Sequence, residues 1–167
     1  TIPGLKLPGV HFKANRSSGE PSKEYREIDN RKSRDLTFLG DILQSRNFYK
    51  AALIEYRRAV DQSKVFSPIL HNKLAKGYLI TKEYNKAEVI LNKSLDLYPM
   101  FHSTLANLGG LYFDMGDIEK SRSFYERAIE INPFNPFPHM RLMTIYQKLG
   151  WKKEKKLQTK LFGYIDH

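Results

Sequence analysis

The chain has 167 residues, 41% of them hydrophobic and 28% charged, a balance that suits one folded domain with a core and excludes a disordered tail. It has no cysteine, which excludes disulfides, thiolate metal sites and a cysteine nucleophile. Lys and Arg number 28 against 18 Asp and Glu, and the resulting charge of +10 is spread along the chain, favouring acidic partners in general rather than nucleic acid in particular.

No apolar stretch approaches the roughly 20 residues needed to span a bilayer. Residues 1–10 mix Pro, Gly and Lys without the apolar block of a signal peptide. Because the chain opens on Thr1 rather than Met, it reads as a piece excised from a longer protein.

In chain order, a flank at 1–32 comes first. Residues 1–21 carry Pro3, Pro8, Pro21, Gly4, Gly9 and Gly19 without helical periodicity, and an extended coil is expected. Ile2, Leu5, Leu7, Val10 and Phe12 are unusual for a free tail; they either dock on the folded body or belong to a preceding domain. Residues 22–33 suit a solvated helix capped by Ser22, with Tyr25 and Ile28 on one face, or equally a charged linker.

From Ser33 the pattern repeats. A first unit, about 33–66, carries Leu36, Leu39, Gly40 and Leu43, then Ala52, Tyr56 and Ala59. A second, 68–101, has Leu74, Ala75 and Tyr78, then Ala87, Leu91, Ser94 and Pro99. A third, 102–135, has Leu105, Leu108, Gly109 and Tyr112, then Ser121, Tyr125, Ala128 and Pro133. Leu74, Leu108 and Leu142 are 34 residues apart, as are Tyr78, Tyr112 and Tyr146. The first unit stands one residue further back, and a turn at 64–68 would absorb the difference. A degenerate fourth unit, 136–167, begins with His139, Leu142 and Tyr146 but then places Lys155, Thr159 and Phe162 where small, aromatic and small residues are expected.

A fixed interval of this length is the signature of stacked two-helix units. A close helix crossing tolerates only small side chains, which accounts for Gly40, Ala75 and Gly109 opposite Ala52, Ala87 and Ser121. Pro99 and Pro133 end second helices, and Gly116-Asp117 and Gly150 mark turns within pairs. The lysine-rich stretch from Trp151 suits a capping helix with Leu157, Leu161 and Phe162 inward and lysines outward. A basic amphipathic helix lying on a membrane or an acidic partner is the rival reading of that stretch.

These residues resemble the tetratricopeptide-repeat (TPR) family, from Ser33 to about Gly150 with a degenerate tail. The resemblance implies an all-α fold, a right-handed α-solenoid of helix-turn-helix repeats whose first helices line a concave groove that holds an extended peptide. In that register the groove carries Arg34, Thr37, Phe38 and Asp41; Asn72, Lys73, Lys76, Leu79 and Ile80; Ser103, Asn107, Gly110, Phe113 and Asp114; and Phe137, Met140, Arg141, Thr144 and Lys148. Asn72, Lys73, Lys76, Asn107, Phe113, Phe137 and Arg141 are the candidate peptide contacts, a basic and amide-bearing set with apolar walls that suits an acidic or carboxylate-bearing peptide. TPR proteins that capture acidic chaperone tails clamp two carboxylates with Lys, Asn, Asn, Lys and Arg. Asn107 and Arg141 match that pattern, Asn72 and Lys76 have its residue types in swapped order, and Phe137 replaces the remaining lysine.

The sequence carries no pattern of catalytic or metal-binding chemistry. There is no phosphate-binding glycine loop, and the five histidines show no metal-ligand spacing. His71 and His139 stand where Leu36 and Leu105 stand, as packing residues. Asp114/Asp117 and Glu126/Glu130 read as solvated faces or caps without a partner base. Asn15-Arg16-Ser17 and Asn92-Lys93-Ser94 fit a glycosylation acceptor pattern too short to carry weight alone. No catalytic residue, metal or cofactor is expected, nor a nucleic-acid partner. The expected function is a protein-interaction scaffold. The alternatives are a non-catalytic TPR tail of a larger enzyme, such as a bacterial envelope enzyme, and a homo-oligomeric assembly element that self-associates through its N-terminal flank.

Overall fold

The computed structural model describes residues 23–165, with side chains from residue 32 onward. The expected coil at 1–21 and its docking lie outside the described residues. Eight helices follow one another: α1 (Lys23–Ser45), α2 (Tyr49–Gln62), α3 (Pro68–Ile80), α4 (Tyr84–Leu97), α5 (His102–Asp114), α6 (Ile118–Ile131), α7 (Pro136–Lys148) and α8 (Lys152–Ile165). There is no strand among the described residues. Each odd-numbered helix packs on the even-numbered helix after it, each pair packs on the next, and α3 also touches α5. The stretch from Lys23 is helical and runs unbroken into the first repeat, so α1 is the longest helix.

One turn chemistry is used four times. Asn47, Lys82, Gly116 and Gly150 take left-handed backbone angles, with φ of 64°, 62°, 87° and 74°. The next residue's N–H then reaches back to the carbonyl of the last helical turn: Phe48 to Leu43, Glu83 to Tyr78, Asp117 to Tyr112 and Trp151 to Tyr146, at 2.8–2.9 Å. This closes the helix end by satisfying carbonyls that have no intrahelical partner. The starts of α3, α6 and α7 are capped by side chains. Ser67 accepts from the Leu70 N–H and Asn135 from the Phe137 N–H, each just before a proline that has no N–H to satisfy. The connection 63–67 is one residue longer than 98–101 and 132–135, which is where the 35-residue interval arises.

The core follows the small residues. A Cβ on Gly40 would stand 2.5 Å from the Tyr56 ring, and one on Gly109 would stand 2.8 Å from the Tyr125 ring. Ala59, Ala75, Ala87 and Ala128 are fully buried, and Ser121 donates to the Gly109 carbonyl at 2.7 Å. A continuous apolar cluster runs from Ala52 through Leu74, Leu91 and Leu108 to Leu111, and Tyr125, Leu142, Ile145 and Tyr146 form a second.

Two expectations are corrected. Leu39, in register with Leu74, Leu108 and Leu142, is 42% exposed, because nothing among the described residues packs on the outer side of α1. In α8, Leu157 and Leu161 face outward, at 56% and 38% exposed. The half-buried stripe is Lys155, Gln158, Phe162 and Ile165. Repeat register decides this: Lys155 and Phe162 occupy the positions of Ser121 and Ala128, and the leucines fall one residue, about 100°, off that stripe. The helix is held by polar and aromatic contacts instead. Trp151 stacks on Tyr146 with centroids 5.9 Å apart and Arg122 lies 5.0 Å over Trp151.

Candidate peptide-binding groove

The first helices of the second, third and fourth pairs bring the candidate residues onto one face. A cavity of about 500 Å³ between α3, α5 and the start of α7 is lined by Asn72, Lys73, Lys76, Asn107 and Phe137, among others. A smaller cavity of about 170 Å³ adjoins it and adds Gly110, Phe113, Asp114 and Arg141. All seven candidate residues line one or both. Arg34, Thr37, Phe38 and Asp41 line a separate cavity toward the first repeat, of about 820 Å³.

The seven are not equally available to a ligand. Asn72 is buried, and its amide donates to the Thr104 hydroxyl at 2.8 Å, the Pro68 carbonyl at 2.8 Å and the Ser94 hydroxyl at 3.2 Å. Asn107 donates to the Asn72 Oδ1 at 3.0 Å. Asn72 is therefore a framework residue that ties α3 to α4 and α5, since a buried amide must find internal partners. The same network makes Ser94 interior, and places the last residue of the Asn92-Lys93-Ser94 triplet inside the fold. Lys73 is half-buried and paired with Asp41 of the preceding repeat. Lys76 and Arg141 are exposed and have no ion pair among the described residues. Arg141 lies over two rings, 5.2 Å from Phe137 and 5.7 Å from Phe113, and Lys148 lies 4.6 Å over Phe113. A guanidinium seated on aromatic faces keeps its in-plane donors free for a ligand. The face thus presents three cations, Lys76, Arg141 and Lys148, around aromatic walls, with Asp114 on the rim.

Between consecutive helices, tyrosines take polar roles that the spacing did not single out. Tyr56 donates to the Asp41 Oδ1 at 2.8 Å, Tyr112 to Glu88 at 3.0 Å and Tyr146 to Glu126 at 2.9 Å. Burial raises each phenol above its ordinary range, and the accepting carboxylate adds to the rise. Tyr125 is fully buried and its hydroxyl has no hydrogen-bond partner. Burial again dominates its raised pKa; Arg141 opposes the rise and Asp114 adds to it, so both charges act on that hydroxyl.

The histidines pack as expected. His139 is 2% exposed, with its ring nitrogens 2.8 Å from the Pro133 carbonyl and 2.7 Å from Gln158 Oε1. His71 stacks on Phe66 at 3.8 Å. Among the described residues no cluster of three His, Cys, Asp or Glu could hold a metal, and no helix is long and apolar enough to cross a membrane.

The tetratricopeptide-repeat family model matches residues 102–135. The chain is 31% identical over 102 residues to BBSome complex member BBS4 of Bos taurus; the match covers 61% of this chain and 19% of that protein. The chain thus spans about a fifth of the length of that curated relative. Among solved structures, TTC0263, a thermophilic TPR protein of Thermus thermophilus, superposes with a TM-score of 0.73 at 20% identity, over 80% of this chain and 74% of that one. The first TPR of Spaghetti (RPAP3), bound to the HSP90 peptide SRMEEVD, superposes with a TM-score of 0.64 at 23% identity, over 72% of this chain and 95% of that one. Residues 102–135 thus match a tetratricopeptide repeat, and the chain as a whole has the all-α repeat fold of the TPR structures on which it superposes.

Proposed function

We propose that this chain is a protein-interaction scaffold whose groove between α3, α5 and α7 binds an extended, carboxylate-bearing segment of another polypeptide. The observation that carries this reading is the set Lys76, Arg141 and Lys148, which gathers from α3 and α7 around Phe113 and Phe137 without internal carboxylate partners among the described residues. Unpaired cations beside apolar walls suit a peptide with acidic groups and one or two apolar anchors. The peptide seated in the Spaghetti (RPAP3) domain, SRMEEVD, is of that chemistry, which supports the reading by analogy of fold.

Arg141 offers a carboxylate two parallel hydrogen bonds, whereas Lys76 adds a point charge that salt screens. Fluorescence titration with acidic and basic peptides at two ionic strengths tests this. Acidic peptides should bind more tightly, more weakly as salt rises, and Arg141→Ala should lose about tenfold or more while Lys76→Ala loses less. Equal binding of basic peptides, or an Arg141→Ala variant that binds like the parent, refutes the reading.

A further inference from the structure

The first repeat shows how this scaffold holds a carboxylate. Asp41 on α1 accepts from the Tyr56 hydroxyl on α2 at 2.8 Å and pairs with Lys73 on α3, the first helix of the next repeat. The same three positions recur two repeats on. Tyr125 stands where Tyr56 stands, 69 residues on (35 and 34), and Gly110 likewise stands where Asp41 stands. Arg141 stands where Lys73 stands, 68 residues on (twice 34, both lying beyond the longer connection). The hydroxyl and the cation are therefore kept in the third repeat and the carboxylate is not, because Gly110 has no side chain.

Three observations follow that substitution. Tyr125 Oη is the one buried side-chain nitrogen or oxygen among the described residues without a hydrogen-bond partner. It lies directly beneath Gly110, where an ideal Cβ would stand 3.4 Å from it. Arg141, Gly110 and Phe137 line the cavity above it, and Phe137 packs edge-on to the Tyr125 ring with centroids 6.1 Å apart. An unsatisfied buried hydroxyl costs stability, so its retention calls for a partner.

We propose that Tyr125 Oη and the Arg141 guanidinium form a subsite over Gly110 for one carboxylate of the bound peptide, which takes the place that the Asp41 side chain holds in the first repeat. This rests on the peptide-binding reading and adds a position to it. The ligand oxygen accepts from the phenol and from the guanidinium, and the Phe137 side chain turns outward to admit it. Gly110 is the specificity residue, since any acidic side chain there would fill the subsite from within.

The test uses the full chain and two probes, the heptapeptide SRMEEVD and sodium acetate. Tyr125→Phe should bind the heptapeptide about tenfold more weakly without a lowered melting temperature, since its hydroxyl makes no internal bond. Tyr56→Phe, which does break one, should melt earlier and bind normally. Gly110→Asp should melt higher and lose the heptapeptide. Acetate, against chloride at equal ionic strength, should shift the Gly110 amide and Tyr125 ring NMR signals of the parent but not those of Gly110→Asp. If the heptapeptide binds in an Arg141-dependent way while Tyr125→Phe and Gly110→Asp bind like the parent, the subsite is wrong and the groove reading stands. If Arg141→Ala is also without effect, the groove reading fails as well. A parent whose Gly110 and Tyr125 signals ignore acetate overturns the subsite irrespective of the peptide.

Discussion

A glycine inside a helix costs about 0.5–1 kcal/mol relative to alanine, so one that persists needs a neighbour that forbids a side chain. Gly109 has one, since an added Cβ would meet the Tyr125 ring at 2.8 Å, and Gly163 meets nothing within 4 Å. Gly109→Ala should therefore destabilise by about 1–2 kcal/mol, the cost of overpacking less the gain in helix propensity. Gly163→Ala should stabilise by up to about 1 kcal/mol. Urea unfolding of the two variants checks the opposite signs. His71 supplies a pH dependence. Its pKa is lowered from 6.5, first by burial; the bond to the Ser67 carbonyl opposes the shift, and the Lys93 charge adds to it. The unfolded imidazole therefore takes up a proton more readily than the folded one. The stabilisation is whole above about pH 6.5 and is lost as pH falls from there toward the lowered folded value. Glu83 and Asp117, whose pKa values are lowered chiefly by hydrogen bonds from Lys86 and from the Lys120 backbone, lose their contributions only in a more acid window, below 4.5 and 3.8. Melting temperature should thus fall between about pH 7 and pH 5 by more in the parent than in His71→Phe. Parallel melting curves for the two would remove His71 as the cause.

At the scale of helices and turns, much was legible because the signal is local. Pro99, Pro133, Gly116 and Gly150 mark ends through their own backbone restrictions, and the structure ends or turns helices there. Asn47 and Lys82 hold the same left-handed turn without glycine's freedom, so composition did not mark them and only the repeat interval could. Lys82 is the costlier, since asparagine tolerates that conformation better than lysine does. Lys82→Gly should stabilise by about 0.5–1 kcal/mol and Asn47→Gly by less, as read from denaturant midpoints. A loss of stability in Lys82→Gly would mean that the Lys82 side chain contributes more than its backbone strain costs. The facing of α8 was not legible for the opposite reason. Its leucines carry the apolar signal, but docking follows the repeat positions, where a lysine stem and Phe162 lie.

For the molecule as a whole, a 34-residue interval fixes which positions face the groove, which is why the seven candidate residues converge. What each can offer depends on partners in its own and the adjoining repeat, and a linear pattern does not state those. Asn72 is consumed by Thr104, Ser94 and the Pro68 carbonyl, and Lys73 by Asp41, and the contacts to Thr104, Ser94 and Asp41 are made through side-chain geometry rather than spacing. The same nearest-neighbour logic governs stability in a stacked array, where each repeat is covered by the next. Here α7 is covered by α8, through the Trp151 stack on Tyr146 and the Gln158 contact to His139. Removing residues 151–167 would bare Tyr146 and leave a buried ring nitrogen of His139 without its partner, a loss of about 1–3 kcal/mol for the unpaired group alone. That truncation should aggregate or melt α7, seen as lost ellipticity and a raised light-scattering mass. Replacing the outward Leu157 and Leu161 together by Glu should leave melting nearly unchanged, because surface substitutions away from such contacts change stability by about 0.5 kcal/mol or less. A truncation that melts like the parent, or a double Glu variant that unfolds, would show that α8 is held by its leucines against something else and does not cap α7.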